Sequence, residues 1–333
     1  MFQSLNTAIL YYRVGKNMSL ANMYSMLRWK YLSDIRKVET PWIIILGITY
    51  RCQCSCSHCS AGAGREGDKY KIEAPKELTL EEIKGILDQA SEIGIPKIDL
   101  FGGEPLIRED IVDIVAHGAK RGLYMAITTN GEYLTKDLTV ALKKAGVNCI
   151  NISLDSASER VHDRLRGRVG LYKKVVEGIK NCHELGVPCI VSTCVTRKRV
   201  ASKDLDEMIA LSRRLKASAV RILFPSQAGR WNENREIVLS DEEQVAVIDS
   251  LDSSFCFIEG AFSVECKKKV CQALRKKMLY ISPYGDVQVC VAINKSFGNV
   301  RNGSLKEAIK GMWSHPSFVK NKDCCAAGEF IYS

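Results

Sequence analysis

The sequence contains no apolar run approaching the roughly 20 residues that a membrane-spanning helix needs. It also shows no secretory signal, so its 14 cysteines are expected to remain reduced rather than to pair as disulfides. Both absences favour a cytoplasmic protein. The chain has 333 residues, of which 46% are hydrophobic and 26% charged, and this is enough to bury a large core.

Acidic residues are the minority charge, because 38 Asp and Glu stand against 48 Lys and Arg and leave a formal charge of +10. A basic surface favours anionic partners such as phosphates, acidic peptides or anionic lipid headgroups. The alternative is that the charge only keeps the protein soluble. Nucleic acid is not expected as a partner.

Residues 1–40 are predicted to form a basic helical extension. Apolar and aromatic residues between Leu10 and Tyr31 interleave with cations such as Arg13, Lys16 and Arg28. Such a segment can lie on an anionic membrane surface or bind an acidic leader peptide. The alternative is that its apolar side packs on the main domain.

The pattern changes at Trp42, where short apolar runs rich in β-branched residues begin to alternate with amphipathic segments. Strands are predicted over residues 43–48, 97–101, 123–129, 147–154, 188–195 and 219–224. The helices that follow them are predicted over residues 80–93, 111–121, 138–145, 172–185, 205–215 and 241–251. Six strand-then-helix units predict an α/β fold, a partial (β/α)6 parallel barrel smaller than the complete eight-unit barrel.

Beyond Leu251 the alternation stops and cysteines become frequent, so we place a domain boundary near residue 255. The predicted organisation is a helical extension over residues 1–40, the partial barrel over 41–255 and a small cysteine-rich domain over 256–333. Within the last of these, a hairpin is predicted from Tyr280 to Val289 with its turn at Gly285.

Cys52, Cys56 and Cys59 follow the first predicted strand with the spacing C-x3-C-x2-C. One short loop thus offers three thiolates, whereas a ferredoxin-type [4Fe–4S] cluster takes four cysteines. Three ligands leave one iron open to a group that is not protein. A zinc site completed by Cys54 and His58 is the alternative, although no second cysteine pair follows nearby, as it usually does in zinc knuckles.

The order of these motifs resembles that of the radical S-adenosylmethionine (SAM) enzymes. A strand, the C-x3-C-x2-C loop and a second strand ending in Gly102-Gly103-Glu104-Pro105 lie inside the β/α repeats, and the match covers about residues 42–230. The resemblance implies an oxidoreductase-type enzyme in which Cys52, Cys56 and Cys59 bind a [4Fe–4S] cluster whose open iron is chelated by SAM. It implies that reductive cleavage of SAM gives a 5′-deoxyadenosyl radical, which takes a hydrogen atom from substrate. An electron donor such as flavodoxin or ferredoxin is implied as a partner.

The resemblance also assigns residues to SAM. The segment that receives the SAM amino group in this family is matched here by Gly102, Gly103 and Glu104. These residue types suit the role, since glycines let the backbone approach a ligand closely and a carboxylate pairs with an ammonium group.

Further along the chain, other residues match the family's SAM contacts. Ser153, Asp155 and Arg166 match positions that meet the ribose or the carboxylate of SAM. Thr128 and Asn130 end the preceding strand and are expected to line the same cavity.

Cys266, Cys271 and Cys290 have the spacing C-x4-C-x18-C and resemble the hairpin that opens the SPASM and twitch domains of radical SAM enzymes. This implies one auxiliary [4Fe–4S] cluster, with Cys325 as its fourth ligand and Cys324 as the alternative. Four thiolates close the coordination, so a redox role is expected rather than substrate binding. A zinc site formed by the same thiolates is the other interpretation.

Two substrate classes remain open. SPASM and twitch proteins often modify peptides, so the first expectation is a peptide-modifying enzyme that makes a crosslink, an epimer or an oxidised side chain. The alternative is an oxidoreductase or epimerase of a sugar, a cyclitol or another small molecule in natural-product or cofactor biosynthesis. An epimerase needs a thiol as hydrogen donor, and Cys194 and Cys256 are the candidates, unless they are only small buried hydrophobes.

Overall fold

A computed structural model of the protein describes residues 5–59, 76–225, 238–259, 262–263, 268–269 and 271–320. The strands are β1 (Ile43–Thr49), β2 (Lys97–Gly102), β3 (Tyr124–Thr129), β4 (Cys149–Ser153), β5 (Cys189–Cys194), β6 (Ala219–Leu223), β7 (Cys256–Glu259), β8 (Phe262–Ser263), β9 (Lys268–Lys269), β10 (Met278–Ile281) and β11 (Val287–Gln288). The helices are α1 (Leu5–Gly15), α2 (Leu20–Lys30), α3 (Leu80–Ile93), α4 (Ile111–Lys120), α5 (Lys136–Ala145), α6 (Glu159–Arg166), α7 (Leu171–Glu184), α8 (Arg197–Ala201), α9 (Asp204–Arg214), α10 (Asp241–Ser250), α11 (Leu305–Trp313) and α12 (Ser317–Lys320).

One nine-stranded sheet organises the described residues, in the order β11-β10-β1-β2-β3-β4-β5-β6-β7. Strands β1 to β7 are parallel to their neighbours, and helices connect them in the β/α order. The α/β fold with a partial parallel barrel is therefore confirmed. Parallel strands place the loops that follow them at one end of the sheet, which is where such folds carry their chemistry.

The end of the sheet differs from the six-strand prediction. A seventh parallel strand, β7, pairs with β6 in a register that sets Cys256 opposite Val220. The predicted hairpin is present as β10 and β11, and β10 adds to the other edge by pairing in parallel with β1. Periodicity cannot identify a strand as short as β7. The domain boundary near residue 255 stays a prediction. The strands β7, β10 and β11, which follow this residue in the chain, belong to the same nine-stranded sheet.

The main core lies between the outer face of the sheet and the helices that cover it. Alternate strand residues, including Ile44, Ile98, Ile127, Ile150 and Val191, are completely buried there. Their β-branched side chains suit a pleated surface that is covered on both sides. This packing fixes the strand ends, and with them the loops that form the candidate site.

The predicted N-terminal extension is helical, and it packs against the N-terminal end of the barrel. Apolar residues of α1, α2 and the turn between them contact a cluster formed by the interior face of β3 to β6, which consists of Tyr124, Ala126, Cys149, Ile190 and Ala219. Asn22 of α2 is buried and donates to the carbonyl of Leu123 (2.9 Å), just before β3. Within the described part of the chain, no helix combines the length and the apolarity needed to cross a membrane.

Candidate functional site

The cysteine loop after β1 is pressed against the two glycines at the end of β2. The Gly103 amide donates to the carbonyl of Thr49 at 2.7 Å. A Cβ atom on Gly102 would lie 2.1 Å from the Thr49 carbonyl oxygen, and one on Gly103 would lie 2.3 Å from that of Arg51. Only glycine permits this approach. The backbone that these glycines approach is that of the cysteine loop itself, and their contact with SAM stays a prediction.

The other side of the loop is held by the end of α6. The amides of Ser55 and Ser57 donate to the carbonyls of Arg166 and Leu165, both at 3.0 Å. The loop is therefore fixed by backbone bonds on two sides, from elements that are far apart in sequence.

The thiols of the loop interact with one another. Cys56 is buried, Cys52 and Cys59 are half-buried, and the buried Cys54 hydrogen-bonds both Cys52 and Cys56. The bond from Cys54 lowers the pKa of Cys56 to about 5 against the effect of burial, with a contribution from Arg166. The bond from Cys54 also lowers the pKa of Cys52. Lowered thiol pKa values favour the thiolate, which is the form that binds metal.

Two predicted SAM contacts reach the loop sulfurs. Asn130 Nδ2 lies 3.9 Å from Cys52 Sγ, and Arg166 Nη1 lies 3.8 Å from Cys56 Sγ. Both groups can donate to an anionic sulfur. A set of soft thiolates with such donors fits an iron–sulfur cluster and not a hard cation. Among the described residues, no three His, Cys, Asp or Glu side chains lie close enough together to enclose a metal ion. The three predicted cysteine ligands are therefore present in one loop, but their sulfur atoms are not arranged around a common centre.

Glu104 faces the protein interior. Its carboxylate is completely buried and accepts hydrogen bonds from the Leu106 amide (3.0 Å), the Thr129 hydroxyl (2.6 Å) and the Asn130 amide (2.7 Å). Burial raises the pKa of Glu104 to about 7, although these donors oppose it. A carboxylate has about four acceptor sites, and donors from the protein occupy three of them. Contact with a SAM ammonium stays a prediction, while the bonds to the end of β3 are present.

Asp155 is the centre of a buried ionic group at the end of β4. Its Oδ2 lies 2.7 Å from Arg166 Nε and 3.3 Å from His58 Nε2, and the Cys194 amide donates to Oδ1 at 3.4 Å. Burial alone would raise the pKa of Asp155, but Arg166 and His58 outweigh it and hold the pKa well below its usual range. The sequence suggested His58 only as a zinc ligand. The structure instead joins it to the carboxylate that positions Arg166.

The remaining predicted SAM contacts lie on the barrel side of the sheet. Ser153 is half-buried at the end of β4, with Ser192 of β5 opposite it. The Thr128 hydroxyl donates to the Asp99 carboxylate at 2.9 Å rather than to the loop. Thr128 therefore belongs to a polar group inside the barrel.

This interior polar group was missed by sequence reasoning. Asn151 Nδ2 donates to Thr128 Oγ1 (3.1 Å), Arg221 Nε donates to Ser192 Oγ (2.8 Å), and Arg221 Nη1 lies 3.9 Å from Asp99 Oδ2. Asp99, Asn151 and Arg221 are buried in the middle of otherwise apolar parallel strands. Charged residues at such positions are uncommon unless they are paired. The charged Asp99 and Arg221 inside apolar strand segments were therefore the sequence signal for this polar group.

The two proposed hydrogen donors lie in different places. Cys194 shares the inner face of β5 with Ser192 and adjoins Asp155, and burial raises the pKa of its thiol to about 12. Cys256 belongs to the main core on the outer face of β7, whereas the adjacent Phe257 contacts the barrel interior. Cys256 as a hydrogen donor stays a prediction, and its thiol lies in the core on the face of the sheet away from the barrel interior.

The C-terminal cysteines are only partly described. Cys271 is buried against the main core and Cys290 is half-buried beside it. Cys266 and Cys325, together with the alternative ligand Cys324, lie outside the described residues. The auxiliary cluster stays a prediction.

Comparison with known proteins identifies the class. The family model described as "Radical SAM superfamily" matches residues 46–212. The chain belongs to this superfamily, whose members bind SAM and a [4Fe–4S] cluster.

Two curated relatives have different activities. The chain is 30% identical over 211 residues to an AdoMet-dependent heme synthase of Methanosarcina barkeri, covering 63% of this chain and 58% of that protein. It is 26% identical over 283 residues to a PqqA peptide cyclase of Rhizobium meliloti, covering 81% of this chain and 73% of that protein. The chain thus spans little more than half of the heme synthase and nearly three quarters of the cyclase.

A solved structure shows the same fold. The crystal structure of Streptococcus suis SuiB bound to the precursor peptide SuiA matches 91% of this chain and 72% of that chain, with a TM-score of 0.67 and 18% sequence identity. Because the family model matches residues 46–212 only, this match extends beyond the region of the family model.

Proposed function

We propose that this protein is a radical SAM enzyme that removes a hydrogen atom from a peptide and leaves the peptide crosslinked, epimerised or oxidised. The observation that carries the proposal is the three-cysteine loop with lowered thiol pKa values, clamped against the Gly-Gly-Glu segment. The peptide as substrate is supported by the similarity to a PqqA peptide cyclase and by the fold shared with SuiB, which was crystallised with a precursor peptide.

Cys52, Cys56 and Cys59 are the proposed ligands of the [4Fe–4S] cluster. When bound, the cluster and SAM supply a 5′-deoxyadenosyl radical, with one electron delivered by a flavodoxin or ferredoxin. Arg166 provides a fixed guanidinium beside Cys56, suited to the SAM carboxylate. Asp155 holds that guanidinium in place, since their ion pair is buried. Ser153, Thr128 and Asn130 remain proposed neighbours of SAM.

The fate of the substrate radical depends on the group that next reacts with it. We propose Cys194 as the hydrogen donor for an epimerisation, because it lies on the inner face of β5 beside Asp155, and its raised pKa is consistent with a protonated thiol. Donation transfers one hydrogen atom to the substrate and leaves a thiyl radical, which needs one electron and one proton to recover. For an oxidation, the substrate radical instead loses one electron and one proton: the auxiliary cluster proposed at Cys266, Cys271, Cys290 and Cys325 would accept the electron, and water would accept the proton.

The test is isotope transfer under anaerobic conditions. Candidate peptides with perdeuterated residues are incubated with the reconstituted enzyme, SAM and dithionite, and 5′-deoxyadenosine is analysed by mass spectrometry. We expect deuterium in 5′-deoxyadenosine and a mass change in the peptide. Deuterium from no peptide, but from a small molecule, would contradict the peptide assignment while leaving the radical chemistry intact.

A second candidate is a small-molecule substrate in cofactor or natural-product biosynthesis. This candidate is favoured by the sequence identity to the heme synthase, which is 30% over 211 matched residues, whereas the identity to the peptide cyclase is 26% over 283 residues. The same incubation with deuterated small molecules, tetrapyrroles among them, separates the two candidates.

A further inference from the structure

The outer side of α2, together with Tyr31 directly after it, carries a stripe of large apolar and tyrosine side chains. Leu20, Tyr24, Leu27 and Tyr31 recur every three or four residues and are 84%, 68%, 65% and 50% exposed. Outside the segment from Leu5 to Val38, the exposed large hydrophobic residues of the described chain are only Tyr133, Val169 and Val200. Such a concentration in one N-terminal segment marks an interaction surface. We refer to these four residues as the α2 outer stripe.

The opposite side of α2 is already occupied. Asn22 bonds the chain before β3, Met26 contacts the interior cluster, and the Arg28 guanidinium donates to the carbonyls of Ser91 (2.8 Å) and Glu92 (2.9 Å). Trp29 Nε1 donates to the Thr40 carbonyl at 3.0 Å. The helix is therefore fixed in orientation, so the stripe cannot turn inward. A helix that is apolar on both sides is stable in water only when both sides are covered.

The segment that carries the stripe is cationic. Lys16, Lys30, Arg36 and Lys37 are exposed, and none of them forms an ion pair with another described residue. Asp34 is the only acidic residue between Leu5 and Val38. Apolar side chains flanked by Lys and Arg, with tyrosines among them, form the pattern of a helix that lies in the interface of an anionic bilayer.

We propose that the α2 outer stripe inserts into the surface of an anionic phospholipid membrane, with the flanking cations against the headgroups. A second copy of the chain fits less well, because two such surfaces would bring like charges together. An acidic peptide fits less well, because the stripe lies along the outside of one helix. Since α2 covers the N-terminal end of the barrel and the cysteine loop lies at the opposite end, membrane contact leaves the candidate site facing away from the lipid.

Vesicle flotation with the full-length, cluster-reconstituted chain tests this proposal. The probes are phosphatidylcholine vesicles with and without about 30% phosphatidylglycerol. The variant L20S/L27S shortens the stripe, and Val169→Ser is the matched control, because Val169 is 94% exposed and lies after α6. Circular dichroism and the thermal midpoint confirm that each variant is folded.

We expect binding to the anionic vesicles, weaker binding to the neutral ones, and loss of binding as salt is raised. L20S/L27S should lower the partition coefficient onto the anionic vesicles at least about tenfold, because each leucine side chain that leaves water contributes about a factor of ten. Val169→Ser should bind these vesicles as the wild type does. Three results would overturn the proposal: no flotation with anionic vesicles, equal flotation of L20S/L27S, or self-association or acidic-peptide binding that depends on the stripe without vesicle binding. None of them depends on catalytic activity, so this proposal and the proposed function fail separately.

Discussion

Gly103 is the position at which a single methyl group should separate the cysteine loop from the strand beside it. In Gly103→Ala the new Cβ would lie 2.3 Å from the Arg51 carbonyl oxygen and 2.5 Å from that of Tyr50. Real contacts of this kind need more than 3 Å, and both neighbours are backbone, so the loop must move by roughly 1 Å. Overpacking of this kind costs about 1–3 kcal/mol. The strain falls on the loop that carries Cys52, so cluster retention should decrease together with stability.

Gly85→Ala is the matched control, because a Cβ at this position in α3 meets nothing within 4 Å. It should raise the free energy of unfolding by up to about 1 kcal/mol through helix propensity. Urea unfolding of the metal-free chain measures both changes, and iron content after anaerobic reconstitution measures cluster retention. The reasoning is refuted if Gly103→Ala unfolds at the same urea concentration as the wild type and retains the same iron.

Three further changes test other parts of the site. Burial raises the pKa of Glu104 from 4.5 to about 7, so its contribution to stability is complete below pH 4.5 and is lost as pH rises through 7. The free energy of unfolding should decrease by up to about 3 kcal/mol over that window relative to Glu104→Gln, and parallel pH profiles would contradict this. Asp155→Asn removes the nearer negative partner of the Arg166 guanidinium, which keeps Cys56 Sγ at 3.8 Å, and should cost up to about 3–5 kcal/mol in urea unfolding, whereas a cost below about 1 kcal/mol would refute the buried ion pair. Cys194→Ala should leave 5′-deoxyadenosine formation intact but abolish solvent deuterium incorporation into an epimerised product, while Cys256→Ala changes neither; the reverse result would assign the donor role to Cys256 instead.

Much of the barrel could be predicted because each strand is a short β-branched run followed by an amphipathic helix. Ile43–Thr49 and Leu80–Ile93 show this, and their observed bounds lie within one residue of the predicted ones. The strand Cys256–Glu259 escaped prediction because its position is set by pairing with β6, a long-range contact that leaves no local pattern.

The candidate site was predictable in its residue types and less so in its contacts. Spacing and motif order selected the cysteine loop, Asn130 and Arg166, all of which lie together. The inward orientation of Glu104 could not be read from the sequence, because it depends on donors from the end of β3. The pairing of His58 with Asp155 likewise joins residues that are far apart in the chain.

The central claim is that Cys52, Cys56 and Cys59 hold the cluster that cleaves SAM. The most direct measurement is 5′-deoxyadenosine formed from SAM and dithionite by three reconstituted proteins: the wild type, the C52A/C56A/C59A variant and Cys54→Ala. Cys54 is the matched control because it is buried in the same loop and bonds two of the three thiols. We predict product from the wild type and from Cys54→Ala, and none from the triple variant. Product from the triple variant, or none from an iron-loaded wild type, would contradict the claim.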